Sequence, residues 1–177
     1  MERILLEMAA DVHASALQHL LPTQSPNEQA AFLFVRPEAK AAATVFRLVE
    51  WRPVMPDGLA IQLPHHIELA DEERAYVIKR GHDLGASIVE MHSHRFPGPA
   101  AFSASDRAGL REFVPHVLWR LKRRPYLAVV VTPDSFDGLV WMDAGVSPRQ
   151  LDGMLAGGRI LSPSRISLVH WEETDDG

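Results

Sequence analysis

The chain predicts an α/β domain, on three observations. Residues 44–54 are rich in β-branched and aromatic side chains and read as a strand. Met8, Val12, Ala16 and Leu20 recur at four-residue intervals and read as one stripe of a helix, and such segments alternate with the strands. Residues 127–132 are apolar almost throughout, the pattern of a central strand covered on both faces. At 177 residues, with 46% hydrophobic and 23% charged side chains, the chain suits one soluble globular domain with a good core.

Taken in order, residues 3–8 form a short strand, and the helix beginning at Ala9 stops before Pro22. His13 and His19 lie on that helix as surface or packing residues. A loop from Pro22 to Pro26 delivers Glu28 to a strand over residues 30–35. The strand over residues 44–54 ends at the turn signal Pro56-Asp57-Gly58. Residues 60–69 are extended, which turns the adjacent His65 and His66 to opposite faces and makes them a poor chelating pair. Asp71, Glu72 and Glu73 open a helix where acids complement its dipole, and Gly85 ends it. A strand over residues 87–94 follows.

After Ser103, the positions Leu110, Phe113, Val114, Val117, Leu118 and Leu121 keep helical spacing. Pro115 either kinks that helix or starts a second one, and His116 is incidental. Residues 138–143 are expected to pair with the apolar strand. A short helix over residues 149–155 and a last strand over residues 166–171 complete the reading. Residues 1–143 are expected to form the core, and residues 144–177 an extension packed on it with a disordered acidic end.

Composition narrows the chemistry. The chain has no cysteine, so disulfides, thiol nucleophiles and thiolate ligands are excluded and any metal must use histidine and carboxylate. Neither a long apolar run nor a leader pattern is present, so a cytoplasmic protein without a membrane span is expected. The net charge of −5 argues against general nucleic-acid binding. Between Ser103 and Tyr126, however, six Arg or Lys residues stand against two acids, a solvated helix face or a patch for an acidic partner. There is no internal repeat, phosphate loop, His-Glu-x-x-His helix or Gly-x-Ser-x-Gly elbow.

One stretch does carry chemistry. On a strand, His92 and His94 project to the same side. Asp106 follows Ser103 in the order Ser-x-x-Asp, and the Pro97-Gly98-Pro99 loop lets the chain fold that carboxylate back. Two neutral nitrogens and one oxygen make a three-ligand zinc site whose fourth position stays open for water, the mark of a catalytic metal. Ser103-Ala-Ser-Asp106 is also a helix capping box, and a residue on the first turn can serve both roles. Glu90 shares the alternation of the two histidines and is a rival ligand, a partner behind them, part of the pocket wall or a member of a salt bridge.

The His92-Ser93-His94 strand, the Ser103-x-x-Asp106 helix start and the upstream Glu28 in Pro26-Asn-Glu-Gln-Ala-Ala-Phe-Leu-Phe34 resemble the JAMM (MPN-plus, Mov34/JAB) metalloproteases in kind and order. Arg95 stands where the family has proline, Ala31 where it has glycine, and the loop to Ser103 is one residue longer. The resemblance covers residues 1–143 and implies the JAB/MPN, cytidine-deaminase-like fold: a mixed, curved β-sheet flanked by helices on both sides.

It further implies zinc held by His92, His94 and Asp106, Glu28 as general base, and Ser103 as donor to the oxyanion, with Ser105 as its rival. The implied reaction hydrolyses the amide after the C-terminal glycine of a ubiquitin-like protein, in deconjugation or precursor processing. The short chain is similar to bacterial JAB proteins that accompany ubiquitin-like conjugation systems with E1- and E2-like partners, some of them in antiphage defence. Two other readings stay open: a hydrolase of the same fold acting on a sulfur-carrier protein, peptide or small amide, and a silent MPN interaction scaffold.

Overall fold

Strand β1 (Arg3–Met8) leads into helix α1 (Ala10–Leu20), then into the long antiparallel pair β2 (Ala30–Lys40) and β3 (Ala43–Pro53). A hairpin of β4 (Leu59–Leu63) and β5 (His66–Leu69) precedes α2 (Asp71–Leu84), β6 (Ser87–Ser93) and α3 (Ala104–Arg120). Strands β7 (Tyr126–Thr132), β8 (Ser135–Trp141), β9 (Arg149–Gln150), β10 (Gly153–Ala156) and β11 (Arg159–Leu161) follow, and helix α4 (Ile166–Asp175) closes the order. This computed structural model describes residues 1–122, 124–143 and 147–175.

All strands except β4 and β5 join one 9-stranded mixed sheet in the order β11-β10-β1-β3-β2-β6-β7-β8-β9. The β1–β10, β1–β3 and β6–β7 pairs are parallel and the others antiparallel. Strand β9 ends the order on one side and β10 lies near the other end, yet only Leu151 and Asp152 separate them along the chain. Such a connection reaches about 10 Å, so the sheet curls until its two ends approach each other. Leu151 is buried at the seam, its N–H bonded to Gly138 O at 3.0 Å, while Asp152 N–H bonds Ile4 O at 2.8 Å. A Cβ at Gly138 would lie 2.8 Å from Leu151 Cδ2, so the seam closes only over a glycine.

The curled sheet separates two cores. Val89, Met91, Leu127 and Val129 point to one side, where Leu20 of α1 packs with them. Ile88, Tyr126, Ala128 and Val130 point to the other, against Val77 and Ile78 of α2, Leu110 and Val114 of α3, and Trp171 of α4. Helices therefore cover both faces, and β7 is apolar along its whole length because neither of its faces meets water. Gly85 ends α2 in the left-handed region at φ 61°, as its position in the sequence predicts.

Several expectations need correction. Strand β2 continues past Val35 to Lys40, because β3 keeps pairing with it beyond a register shift at Phe34/Val35. Residues 60–69 are not one extended stretch but the β4–β5 hairpin, turned at Pro64 and His65. Helix α3 runs through Pro115 without a second start. The helix expected over residues 149–155 is replaced by β9 and β10, since Gln150 pairs with Leu139 and Met154 with Leu6. The strand expected over residues 166–171 is the helix α4, where buried Ser167 and Trp171 lie one turn apart. Of the acidic end, Asp176 and Gly177 lie outside the described residues.

The late segment is tied down by one buried acid. Asp137 is fully buried; its Oδ1 accepts from Gly138 N–H at 2.9 Å, Gln150 Nε2 at 2.9 Å and Arg165 N–H at 3.3 Å, and its Oδ2 from Ser167 N–H at 2.7 Å. The carboxylate thus satisfies backbone donors at the start of α4 and holds that helix on β8. Replacing Asp137 by Asn removes the charge and turns an N–H toward those donors. Asp137→Asn is expected to lower the unfolding free energy by about 3 kcal/mol, read as a lower urea midpoint; a midpoint equal to the parent's would refute this role.

Candidate metal centre

Strand pleat and loop anchoring assemble the site. Alternation along β6 turns Glu90 and His92 to the α2/α3 side. His94 stands one residue beyond the strand, but its N–H still bonds Val131 O at 2.8 Å, so the β7 ladder keeps it in line with His92. Between them Ser93 is fully buried; its hydroxyl accepts Gln29 N–H at 3.0 Å and its N–H donates to Gln29 O at 3.1 Å. This exchange lays the segment before β2 alongside β6 and puts Glu28 next to the imidazoles.

The β4–β5 hairpin grips Glu28 from the other side. Glu28 N–H bonds Leu63 O at 3.0 Å, and Gln62 Nε2 donates to Glu28 O at 2.9 Å. His19 of α1 donates to Ala30 O at 2.8 Å and steadies the same segment, a packing role rather than a ligand role.

Asp106 arrives from the first turn of α3. Ser103 Oγ accepts Asp106 N–H at 3.1 Å, and Asp106 Oδ2 accepts Ser103 N–H at 2.8 Å, a complete capping box. The loop that returns the chain is fastened at Gly98 N–H to Asp134 Oδ1 (2.9 Å), at Ala100 N–H to Ser135 Oγ (3.0 Å) and at Phe102 N–H to Ser167 Oγ (3.0 Å). Arg95 bonds Pro22 O at 2.6 Å, tying the same loop to the chain after α1.

Four predicted site residues meet here. His92 Nε2 and His94 Nε2 are 3.2 Å apart, and Asp106 Oδ2 is 3.2 Å from the first and 3.1 Å from the second. Around a cation with bonds of about 2.0–2.1 Å, tetrahedral ligand atoms stand roughly 3.3–3.4 Å apart. The triangle fits one metal ion to within about 0.2 Å. Glu28 Oε1 lies 3.7 Å from His94 Nε2. Glu28, His92 and His94 form a buried group whose ligand atoms lie within 4.8 Å of one another and can hold a metal. Asp106 Oδ2 lies closer to His94 Nε2 than Glu28 Oε1 does, so it too can complete a three-ligand set with the two imidazoles.

His94 Nδ1 is buried without a hydrogen-bond partner. Its ring stacks on the exposed Phe96 instead, centroids 5.6 Å apart, so packing orients it where metal-binding histidines ordinarily use a hydrogen bond.

Charge is unevenly held. Burial opposes charge on His92, but the Asp106 charge and hydrogen bond, with Glu28 and Glu90 beyond, push its pKa from 6.5 up to about 9. Burial likewise opposes an ionised Asp106, yet His92 and the hydrogen bonds from both imidazoles and Ser103 N–H hold it far below the carboxylate range. Burial raises Glu28 above its ordinary 4.5, with the imidazoles offsetting part of the rise.

Ser103 is exposed, its oxygen committed to the cap, whereas Ser105 lines a cavity with His92 and Asp106. Glu90 is no ligand of the triangle: it accepts the Tyr126 hydroxyl at 2.9 Å and lines the same cavity. Gln62, Ser93 and Tyr126 escaped the sequence reading, because their roles depend on contacts across the fold. His66 pairs with Glu68 at 3.0 Å and lines the same cavity as His92.

No family model matches the chain, and no curated protein does. Among solved structures it is similar to the STIL N-terminal domain of Trichoplax adhaerens, at 10% identity and a TM-score of 0.31, over 73% of this chain and 37% of that one. Among the described residues no helix is long and apolar enough to cross a membrane.

The raised pKa of His92 has two measurable consequences. In chelated protein its imidazolium contributes stability that is fully present below pH 6.5 and is lost as pH rises through about 9. The melting temperature of chelated protein is therefore expected to fall across that window. Metal must displace the same proton, so affinity in a chelator competition is expected to rise about tenfold per pH unit up to that pKa. Affinity independent of pH would show that His92 is not a ligand.

Proposed function

We propose that the chain is a zinc-dependent isopeptidase or peptidase of the JAMM type, hydrolysing the amide that follows the C-terminal glycine of a ubiquitin-like protein. One observation carries this reading: the His92–His94–Asp106 triangle, with the carboxylate of Glu28 set 3.7 Å from it and buried. The curled mixed sheet, with helices on both faces and the site at the end of β6, supports a JAB/MPN fold. A scaffold without chemistry has no need to bury two imidazoles and two carboxylates against one another, since each costs desolvation free energy.

Zinc bound by His92, His94 and Asp106 would polarise the scissile carbonyl and bring the pKa of a coordinated water toward about 7. Glu28 takes the proton from the attacking water and returns it to the departing amine. Its burial raises its proton affinity toward the working pH, which suits a group that must both accept and release. The hairpin bonds to Glu28 N–H and O hold that carboxylate in place through both transfers. Ser103 accepts Asp106 N–H through its oxygen, which leaves its own hydroxyl proton to donate to the developing oxyanion. One preorganised donor of this kind is worth about 2.7–4 kcal/mol. Ser105, on the cavity wall, is the rival for that role.

Glu28→Gln is expected to keep zinc and lose about 10²–10⁴-fold in turnover, read by mass on ubiquitin-like fusions with metal content measured in parallel. Chelation is expected to abolish cleavage and zinc to restore it. Loss of zinc from the Glu28→Gln protein would reassign Glu28 as a ligand, and a wild-type chain that takes up no zinc would end the enzymatic reading.

A further inference from the structure

Beside the imidazoles lies a cavity of about 370 Å³, most of whose walls the hydrolytic reading gives no role. His92 and Asp106 stand on its wall, so it opens on the reacting centre. Phe32, Ile67, Phe102, Leu110 and Phe113 also line it and give it apolar walls. Glu90 is its inward-facing acid: β6 alternation turns it to the same side as His92, and Tyr126, itself buried, donates to Glu90 Oε2 at 2.9 Å. Among the described contacts the Glu90 carboxylate has no basic partner within salt-bridge distance. Arg74, which shares the cavity, lies over the Phe113 ring with its guanidinium carbon 5.5 Å from the centroid.

We infer that this cavity is a side-chain pocket for a cationic residue of the substrate, of the lysine or arginine type, flanking the scissile amide. The inference rests on the hydrolytic reading for the word substrate, but the recognition chemistry does not. A lysine-type side chain has an apolar methylene stem and a charged tip, and the pocket has the complement, aromatic and aliphatic walls with a carboxylate fixed by a tyrosine. Glu90, Asp106, Glu112 and Glu68, which pairs with His66, give the lining four carboxylates against Arg74 and His92, so the field of the pocket favours a cation. A neutral stem of equal length meets the same walls and gains nothing from Glu90, which makes charge the discriminating property.

The test compares two amides of matched shape, Nα-acetyl-lysine amide and Nα-acetyl-norleucine amide, titrated into chelated and zinc-loaded protein and followed by amide NMR shifts. The lysine compound is expected to bind at least about tenfold more tightly, with shifts at Glu90, Phe113 and Tyr126. Glu90→Gln, which keeps an acceptor for Tyr126, is expected to reduce the two affinities to equality. Equal binding of the two compounds to the wild-type chain, or binding of neither, overturns the pocket even if the variant fails to fold. In parallel, cleavage of fusions with Lys or norleucine beside the scissile bond is expected to favour Lys. Lysine binding without cleavage of any fusion would refute the hydrolase and leave the cation pocket standing.

Discussion

Asp106 Oδ2 accepts the Ser103 N–H at 2.8 Å and lies 3.1 and 3.2 Å from the two imidazole nitrogens, so the start of α3 and the end of β6 meet at one atom. A carboxylate on a helix's first turn is already favoured by the exposed N–H groups and the dipole there. The same electrostatic preference makes Asp106 a fixed anion for anything placed between the imidazoles. Capping and ligation therefore reinforce rather than compete. A helix start is rigid, and the position of the proposed third ligand is inherited from it.

Glu28, the proposed base, is placed by different means. Glu28 precedes β2, outside any regular element, and a free loop would not hold a carboxylate steady near a metal. Ser93 solves this from beneath, with both hydrogen bonds to Gln29, and the β4–β5 hairpin solves it from above through Leu63 and Gln62. The residue between the two histidines thus points away from the site and still serves it. Separation of roles by strand alternation lets neighbouring residues in one short segment face the candidate metal centre and anchor Glu28.

What could be read from the sequence followed from local rules. The strand alternation that groups His92 with His94, the Ser103-x-x-Asp106 cap, the glycine stop at Gly85 and the apolar β7 are each set within a few residues. The parts that could not be read are set by distant partners. Residues 153–156 are a strand because β1 offers an open edge beside them, and residues 166–175 are a helix because Asp137, far away in the chain, supplies the cap. The cavity was equally hidden: Glu90 was visible as a same-face neighbour of the histidines, but Tyr126 and Phe113 meet it only after the sheet and α3 have packed. Local chemistry announces the ligands, whereas tertiary contacts decide what surrounds them.

The three inward-facing atoms of the triangle suit a cation better than one another. If His92 Nε2 carries a proton and His94 Nε2 does not, the lone pair of His94 faces the Asp106 oxygen at 3.1 Å. If both nitrogens carry protons, two N–H groups face each other across 3.2 Å. With His94 bare at Nε2 and neutral, its proton sits on Nδ1, which is buried without an acceptor. With Asp106 ionised, each protonation state of the two imidazoles leaves one repulsive edge or one stranded donor, at a cost of about 1–3 kcal/mol for a buried unsatisfied group. A cation at the centre would turn all three inward lone pairs into ligands and remove the conflict between them, so the geometry that is least comfortable for protons is one that suits a metal.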